Sequence, residues 1–394
     1  MIIPGARKLI DRLIPEVSDR EIGDPHIQGE DIEVFPSKKE NFRLINKIES
    51  PRDIAFVDGG NLELIGAPNF SIQLNRVYGA KWHNVRRIFN NKVEFYSATY
   101  STSLVDNQIQ YKTIFEPGTN NNDMRKTLPK EEDLSFAAND RSIMSGNQVA
   151  DISRVSSIGR RFSEWTNATS LIEQLDENDI LMIDGTLQTN FTNESKYLSN
   201  LRRKARENGV ILCGLSKTSS LQTTTGLSLL GSINRLAEEN NIEREWYYPF
   251  AVSTATDHDV MIFIIKLSRN SDRIFRFEVD RKTFEELNDL QINEVFSTIM
   301  RNSNDLSFIG YPYGLIDADN MARVSYDESD EYRGIITSIL SQSGEAKEFL
   351  RHIQAKDAHD ILKYRFGERV DKISFSKRKE ELENIPNGKV TITI

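Results

Sequence analysis

Residues 54–64 read "IAFVDGGNLEL" and residues 179–189 read "DILMIDGTLQT". In each, a short apolar run stops on a carboxylate, Asp58 in the first and Asp184 in the second, and glycine follows. Runs of this length and composition form buried strands. In an α/β sheet, ligands collect where such strands end and loops leave the sheet. Gly59, Gly60 and Gly185 are therefore expected to turn the chain sharply and let backbone approach a bound group, because glycine carries no Cβ. Asp-Gly is also ordinary turn chemistry. Two copies, each closing a buried strand on either side of a helix, favour a site. Carboxylates buried side by side must be protonated or neutralised, and a divalent cation neutralises the pair.

The flanking sequence supplies the rest of a sheet. From Ile54 onward, "IAFVDGG", "FSIQLNRVYGAKW", "KVEFYSATYS" and "IQYKTIFE" alternate apolar with polar residues, which predicts an antiparallel meander led by the Asp58 strand. Residues 116–133 have loop composition. A helical stretch is expected from about Phe136 to Leu175, with Val155, Ile158, Phe162, Trp165, Leu171, Ile172 and Leu175 along one face. Next come the strand "DILMIDG", the helix "ESKYLSNLRRKARENG" ended by Gly209, and the strand "VILCGLSK". That order implies a parallel crossover. "SLLGSINRLAEENN" reads as a helix, "DVMIFIIKLS" and "RIFRFEVD" as a hairpin, and "FEELNDLQINEVFSTIMRNS" as a helix again. The tail from about Tyr332, including "KEFLRHIQAKDAHDILKYRF", predicts a further helical appendage. At the other end, proline at 4, 15, 25 and 36 suggests a short amphipathic helix and an irregular arm. The expected division is 1–50 as helix and arm, 51–330 as the α/β domain, and 331–394 as the appendage.

Bulk properties narrow the function classes. A chain of 394 residues, 38% hydrophobic, can bury a sizeable core. With 50 basic and 59 acidic residues its net charge is −9, which argues against holding nucleic acid by bulk electrostatics alone. A local basic surface or a partner's grip remains open. The single cysteine, Cys213, leaves no disulfide framework or cysteine zinc site and fits a reducing cytoplasm. The run "VMIFII" at 260–265 is too short to span a bilayer, so no membrane is expected.

Between the two aspartates lies Glu164 in "GRRFSEW", on the helix that feeds the Asp184 strand. Strand-end aspartate, helix glutamate, strand-end aspartate is the order found in ribonuclease H-like folds, where three carboxylates gather Mg²⁺ or Mn²⁺. Such hard cations prefer oxygen ligands, and two of them about 4 Å apart activate a water and steady a leaving oxygen. Lys217, after the next buried strand, either contacts a scissile phosphate or snorkels to solvent. In "IGYPYGLIDADNMARVS", residues 309–325, Asp317 and Asp319 lie in an expected turn before an apolar helix. One of them either caps that helix or supplies a fourth metal ligand.

Taken together, "FVDGG", Glu164, "LMIDGTL", "LSKTS", the hairpin "IIKLSRNSDRIFRFEVD" and "YPYGLIDADNMARVS" resemble the NurA family over about residues 50–330. The resemblance implies a ribonuclease H-like mixed sheet flanked by helices. It further implies a Mn²⁺- or Mg²⁺-dependent DNA nuclease of 5′–3′ exonuclease and single-strand endonuclease type, acting on duplex ends and single strands. As partners it implies a second copy in a homodimer and a HerA-type hexameric ATPase that translocates DNA. Asp58, Glu164, Asp184 and Asp319 would bind metal, with Asp317 as the alternate to Asp319, and Lys217 would assist at the phosphate. Where many members carry histidine in the last motif this chain has Asp319, which cannot act as a neutral imidazole. Arg202, Arg203, Lys204 and Arg206 are candidate DNA contacts or a solvated basic face.

Other signals point elsewhere. His258, between Asp257 and Asp259, is expected in a polar loop before a strand, since an extended D-H-D triplet sends alternate side chains to opposite faces. Trp82, Tyr96 and Tyr100 could stack bases, with sheet packing as the default; Trp246, Tyr247 and Tyr248 read equally well as a partner surface or as a strand before Pro249. No Walker A, dinucleotide glycine signature or H-E-x-x-H helix is present. Two rival readings remain. Actin-like and sugar-kinase folds use similar D-G-G and D-G-T turns as phosphate loops, and a non-catalytic translocase adaptor could retain the fold.

Overall fold

The computed structural model describes residues 3–342 except 19, 30, 106–107, 120–121 and 126, together with 352. The segment "KEFLRHIQAKDAHDILKYRF" therefore lies outside the described residues apart from His352. Four long strands, β1 (Ile54–Ala67), β2 (Phe70–His83), β3 (Arg86–Val105) and β4 (Gln108–Pro117), form the expected antiparallel meander. β5 (Ile180–Asp184) runs parallel to β1 in register from Ile54↔Ile180 to Val57↔Ile183, and β6 (Ile211–Ser216) runs parallel to β5. The order β6-β5-β1-β2-β3, three antiparallel strands with two more added in parallel beside the first, is a ribonuclease H-like sheet. Beyond β6 come β9 (Phe275–Asp280), β8 (His258–Lys266) and β7 (Trp246–Ala255), all antiparallel. Ile32–Val34 and Arg43–Leu44 pair with β7 and Ser135–Ala137 with β4, giving a 12-stranded mixed sheet.

Strand alternation divides the core into two layers. Ala55, Val57, Leu181 and Ile183 point toward α2 (Ile158–Leu171) and α3 (Glu194–Glu207), whereas Ile54, Phe56, Ile180, Met182, Cys213 and Leu215 point toward α5 (Asp289–Arg301) and α6 (Tyr313–Ala322). Each fully buried large apolar side chain contributes roughly 1.5–3 kcal/mol. α4 (Leu229–Glu239) adds Leu229, Ile233 and Ala237 to the first layer. α1 (Ile3–Ser18) is the expected amphipathic helix, and its Leu9, Ile10, Leu13, Ile14 and Val17 are exposed. α7 (Tyr326–Gln342) forms a C-terminal helical extension and runs across positions 330 and 331. No helix among the described residues is long and apolar enough to cross a membrane.

Four local expectations need correction. β1 does not stop at Asp58; it continues through Gly59 and Gly60 to Ala67, and only its parallel partner ends beside it. The long helix expected from Phe136 begins at Ile152, where the Asp151 side chain accepts from Ser153 N at 2.8 Å. Residues 138–151 are turns, fixed by Asp140 accepting from Ser142 N at 2.8 Å and by Gly146 at φ +61°. "FEELNDLQINEVFSTIMRNS" breaks at Leu287 into Arg281–Glu286 and α5, because Asn288 and Gln291 form a capping box that starts a new helix. Finally, His258 opens β8 and is buried, with Nε2 3.0 Å from Glu278 Oε2. The alternation of the D-H-D triplet turns the imidazole inward and leaves Asp259 to pair with Arg281.

Candidate metal centre

The same alternation places the polar ends of the strands. Asp58 continues the Ile54/Phe56 face of β1, Asp184 continues the Ile180/Met182 face of β5, and Lys217 follows Cys213 and Leu215 in β6. All three therefore face the layer that contains α6. That helix delivers Asp319, so that Asp58, Asp184 and Asp319 each bring a carboxylate oxygen within 4.8 Å of the others. Lys217 Nζ stands 2.7 Å from Asp184 Oδ2 and 3.5 Å from Asp319 Oδ1.

Glycine makes the close packing possible. A Cβ on Gly60 would lie 2.4 Å from the Ala322 carbonyl oxygen, and one on Gly314 would lie 2.1 Å from the Phe56 ring, so α6 seats on β1 through two glycines. Gly59 faces the other layer, where a Cβ would lie 2.5 Å from Glu164 Oε1. The glycines after Asp58 serve the approach of two helices, not a turn. Gly185, with φ +109°, does turn the chain after Asp184, as expected.

Glu164 thus reaches the site from the opposite face, across the bare backbone of Gly59, and is not one of the three clustered carboxylates. It is buried on α2 and its oxygens are taken by Arg160 and, at 3.3 Å, by Arg161. Asp317 and Asp319 lie in the middle of α6, not in a turn, because Pro312 already occupies the N-cap position. Asp317 points away and forms an ion pair with Arg87 at 2.9 Å, while Asp319 also accepts from Arg323 at 2.9 Å.

Electrostatics in the cluster are strained by like charge. Burial, then Asp184 and Glu164, push the Asp58 carboxyl up to about 8. Burial pulls on the Lys217 ammonium, but Asp184 and Asp319 outweigh it and its pKa rises, so it stays charged. Burial and the three aspartates also push the Tyr311 phenol far up, which keeps it protonated beside the cluster. Nothing in the sequence distinguishes Tyr311 from Tyr313, so its place in the site was not legible there. Arg160 and Arg161 were legible, since positions i−4 and i−3 to a helical glutamate form ion pairs.

The basic run on α3 is already committed. Arg202 is buried, donating to the Leu187 carbonyl at 3.0 Å, Arg206 pairs with Asp280 at 2.6 Å, Arg203 with Glu207 and Lys204 with Glu173. Leu187 N in turn donates to the buried Glu278 at 2.8 Å, which pins the loop after Asp184. Trp82 is buried edge-on to Tyr313, whereas Tyr100 is exposed.

Residues 52–324 match the NurA domain family model. The chain belongs to the NurA family. No curated protein matched the sequence. Among solved structures, the catalytic domain of human endonuclease V is 12% identical, with a TM-score of 0.32 over 80% of this chain and 92% of that one. An Argonaute from Aquifex aeolicus is 10% identical, with a TM-score of 0.26 over 70% of this chain and 28% of that one. Within the NurA match lie all the acidic groups of the centre, from Asp58 to Asp319.

Proposed function

We propose that the chain is a divalent-metal-dependent deoxyribonuclease whose centre is formed by Asp58, Asp184 and Asp319, with Glu164 as a further ligand. The observation that carries this reading is the convergence of three carboxylates from three separate elements on one point of a NurA domain. An all-oxygen donor set suits Mg²⁺ or Mn²⁺, and burial, then the neighbouring Asp184 and Glu164 charges, raise the pKa of Asp58, a penalty that such an ion would offset. A divalent cation held by these carboxylates would supply an activated water and charge stabilisation at the leaving oxygen. Lys217, kept charged by Asp184, would donate to a non-bridging phosphate oxygen. Tyr311, kept protonated, is a second donor on the same side.

Family membership supports the finer assignments: 5′–3′ exonuclease and single-strand endonuclease activity with Mn²⁺ or Mg²⁺, action as a homodimer, and work with a HerA-type hexameric ATPase. An acidic chain whose α3 basic run is paired with its own carboxylates benefits from a partner that grips DNA. Residues 51–330 would form the nuclease unit. The test is end-labelled linear DNA incubated with Mn²⁺, Mg²⁺ or EDTA, beside Asp58→Ala. Metal-dependent shortening that the variant lacks is expected. Equal cleavage by both proteins would remove the proposed centre, and ATP binding without cleavage would favour the phosphate-loop reading.

A further inference from the structure

The site contains cations of its own. Asp58, Asp184 and Asp319 cluster on one face of β1 and Glu164 lies against Gly59 on the other, and the cations beside them do not have equal freedom. Arg161 is tied into the fold: its Nε lies 3.1 Å from Glu194 Oε1, its Nη2 donates to the Thr186 carbonyl at 3.2 Å, and its guanidinium stacks 4.1 Å from the Trp165 ring. Glu194 is fully buried, so withdrawing Arg161 would strand a charge. Among the described residues Arg160 has neither a second carboxylate nor a ring stacked on it. It contacts Glu164 and the Gly59 carbonyl, the latter at 3.0 Å, and its side chain is 27% exposed against 4% for Glu164. Lys217 is held by Asp184, on the other face.

We propose that Arg160 and a divalent cation compete for Glu164: the arginine holds the carboxylate while the centre is empty of metal, and releases it on metal binding to contact a backbone phosphate of the nucleic-acid substrate. Glu164 lies against Gly59, where a Cβ would be 2.5 Å from its Oε1, and Gly59 is already past the last pairing of β1 with β5, Val57↔Ile183, so among the described residues no strand pairs with β1 on that side and the carboxylate stands beside an unpaired edge next to Asp58. Added positive charge removes the electrostatic reason for Arg160 to stay in place, and a freed guanidinium offers a planar fork that matches phosphate oxygens. The exchange holds the site close to charge balance before and after loading, and it assigns Arg160 a substrate-binding role that depends on metal. This inference rests on the nuclease reading.

The competition predicts effects of opposite sign, which a structural role does not. Arg160→Gln should bind Mn²⁺ about fivefold more tightly by titration calorimetry, yet bind a fluorescent single-stranded oligonucleotide more weakly in Ca²⁺. Arg160→Lys, which keeps the charge, should return Mn²⁺ affinity toward the wild-type value. Glu164→Gln frees the arginine without metal, so in EDTA it should bind the oligonucleotide about fivefold more tightly than wild type, and the Arg160→Gln/Glu164→Gln double variant should lose that gain. Unchanged or weaker Mn²⁺ binding by Arg160→Gln, in a wild-type background that binds Mn²⁺ and cleaves DNA, overturns the exchange alone. A double variant that keeps the gain of Glu164→Gln overturns it equally. A wild-type protein that neither binds Mn²⁺ nor cuts DNA overturns the nuclease reading and the exchange with it.

Discussion

Asp58 sits partly buried among carboxylates, and its protonation links the site to the stability of the fold. An unfolded aspartate titrates near 4, whereas burial, Asp184 and Glu164 hold Asp58 at about 8. Between these values the folded chain keeps a proton that the unfolded chain has lost. The contribution of Asp58 is therefore fully present below about pH 4, falls as pH rises through about 8, and is constant above that. At about 1.4 kcal/mol per unit the whole excursion is on the order of 5 kcal/mol. In EDTA, Asp58→Asn should melt several degrees above wild type at pH 8.5 and close to it at pH 5. An equal difference at both values would show that Asp58 does not carry the strain. The carboxylates themselves were legible at this scale, because Asp58 and Asp184 end the parallel part of their strands. The choice between Asp317 and Asp319 was not, since both lie on one helix and only the neighbours decide: Arg87 takes one and the cluster takes the other.

At the scale of elements, the position of Asp319 depends on how closely α6 approaches β1. Gly314 lies over Phe56, Gly60 lies under Ala322, and the N-terminus of the helix is held by Asn302, whose side chain accepts from Gly314 N at 3.0 Å. Gly314→Ala must move the helix or the ring, at a cost of roughly 1–3 kcal/mol, and Asp319 moves with the helix. Mn²⁺ affinity should fall together with the melting temperature. Gly334→Ala on α7, where nothing lies within 4 Å, supplies the control and should leave Mn²⁺ affinity unchanged. A stable Gly314→Ala protein with wild-type Mn²⁺ affinity would show that this seat does not position the ligand. The meander was readable from period-2 patterning and the parallel pair from the strand–helix–strand order. The continuation of β1 through Gly59 and Gly60 was not. Paired glycines after an aspartate read locally as a turn, and only the arrival of α2 and α6 from opposite faces explains why side chains are absent there.

For the whole molecule, α7 and the far half of the β1–β2 hairpin form a third apolar cluster, separate from the two layers that build the centre. Leu64, Ile65, Ala67, Phe70 and Leu74 receive Ile336 and Leu340, Arg333 Nε donates to the Leu64 carbonyl at 2.8 Å, and Arg76 bridges Glu94 and Glu328. The Glu328 side chain is held at about 2, chiefly by its hydrogen bond to Arg76. The NurA match ends at 324, before this helix begins, so α7 should stabilise the chain without forming part of the metal centre. Placing aspartate at both Ile336 and Leu340 should detach it, at a cost of about 2–3 kcal/mol for two half-buried side chains, and lower the melting temperature in EDTA. A ligand that binds only the folded state adds stability set by its concentration and affinity, about 2.7 kcal/mol at a hundredfold excess over Kd. If α7 is only a cover, Mn²⁺ should add the same increment to the double variant as to wild type. If the increment disappears while the protein still folds, then Arg76, which also donates to the Arg323 carbonyl at 2.6 Å where the chain leaves α6, transmits the state of α7 to Asp319.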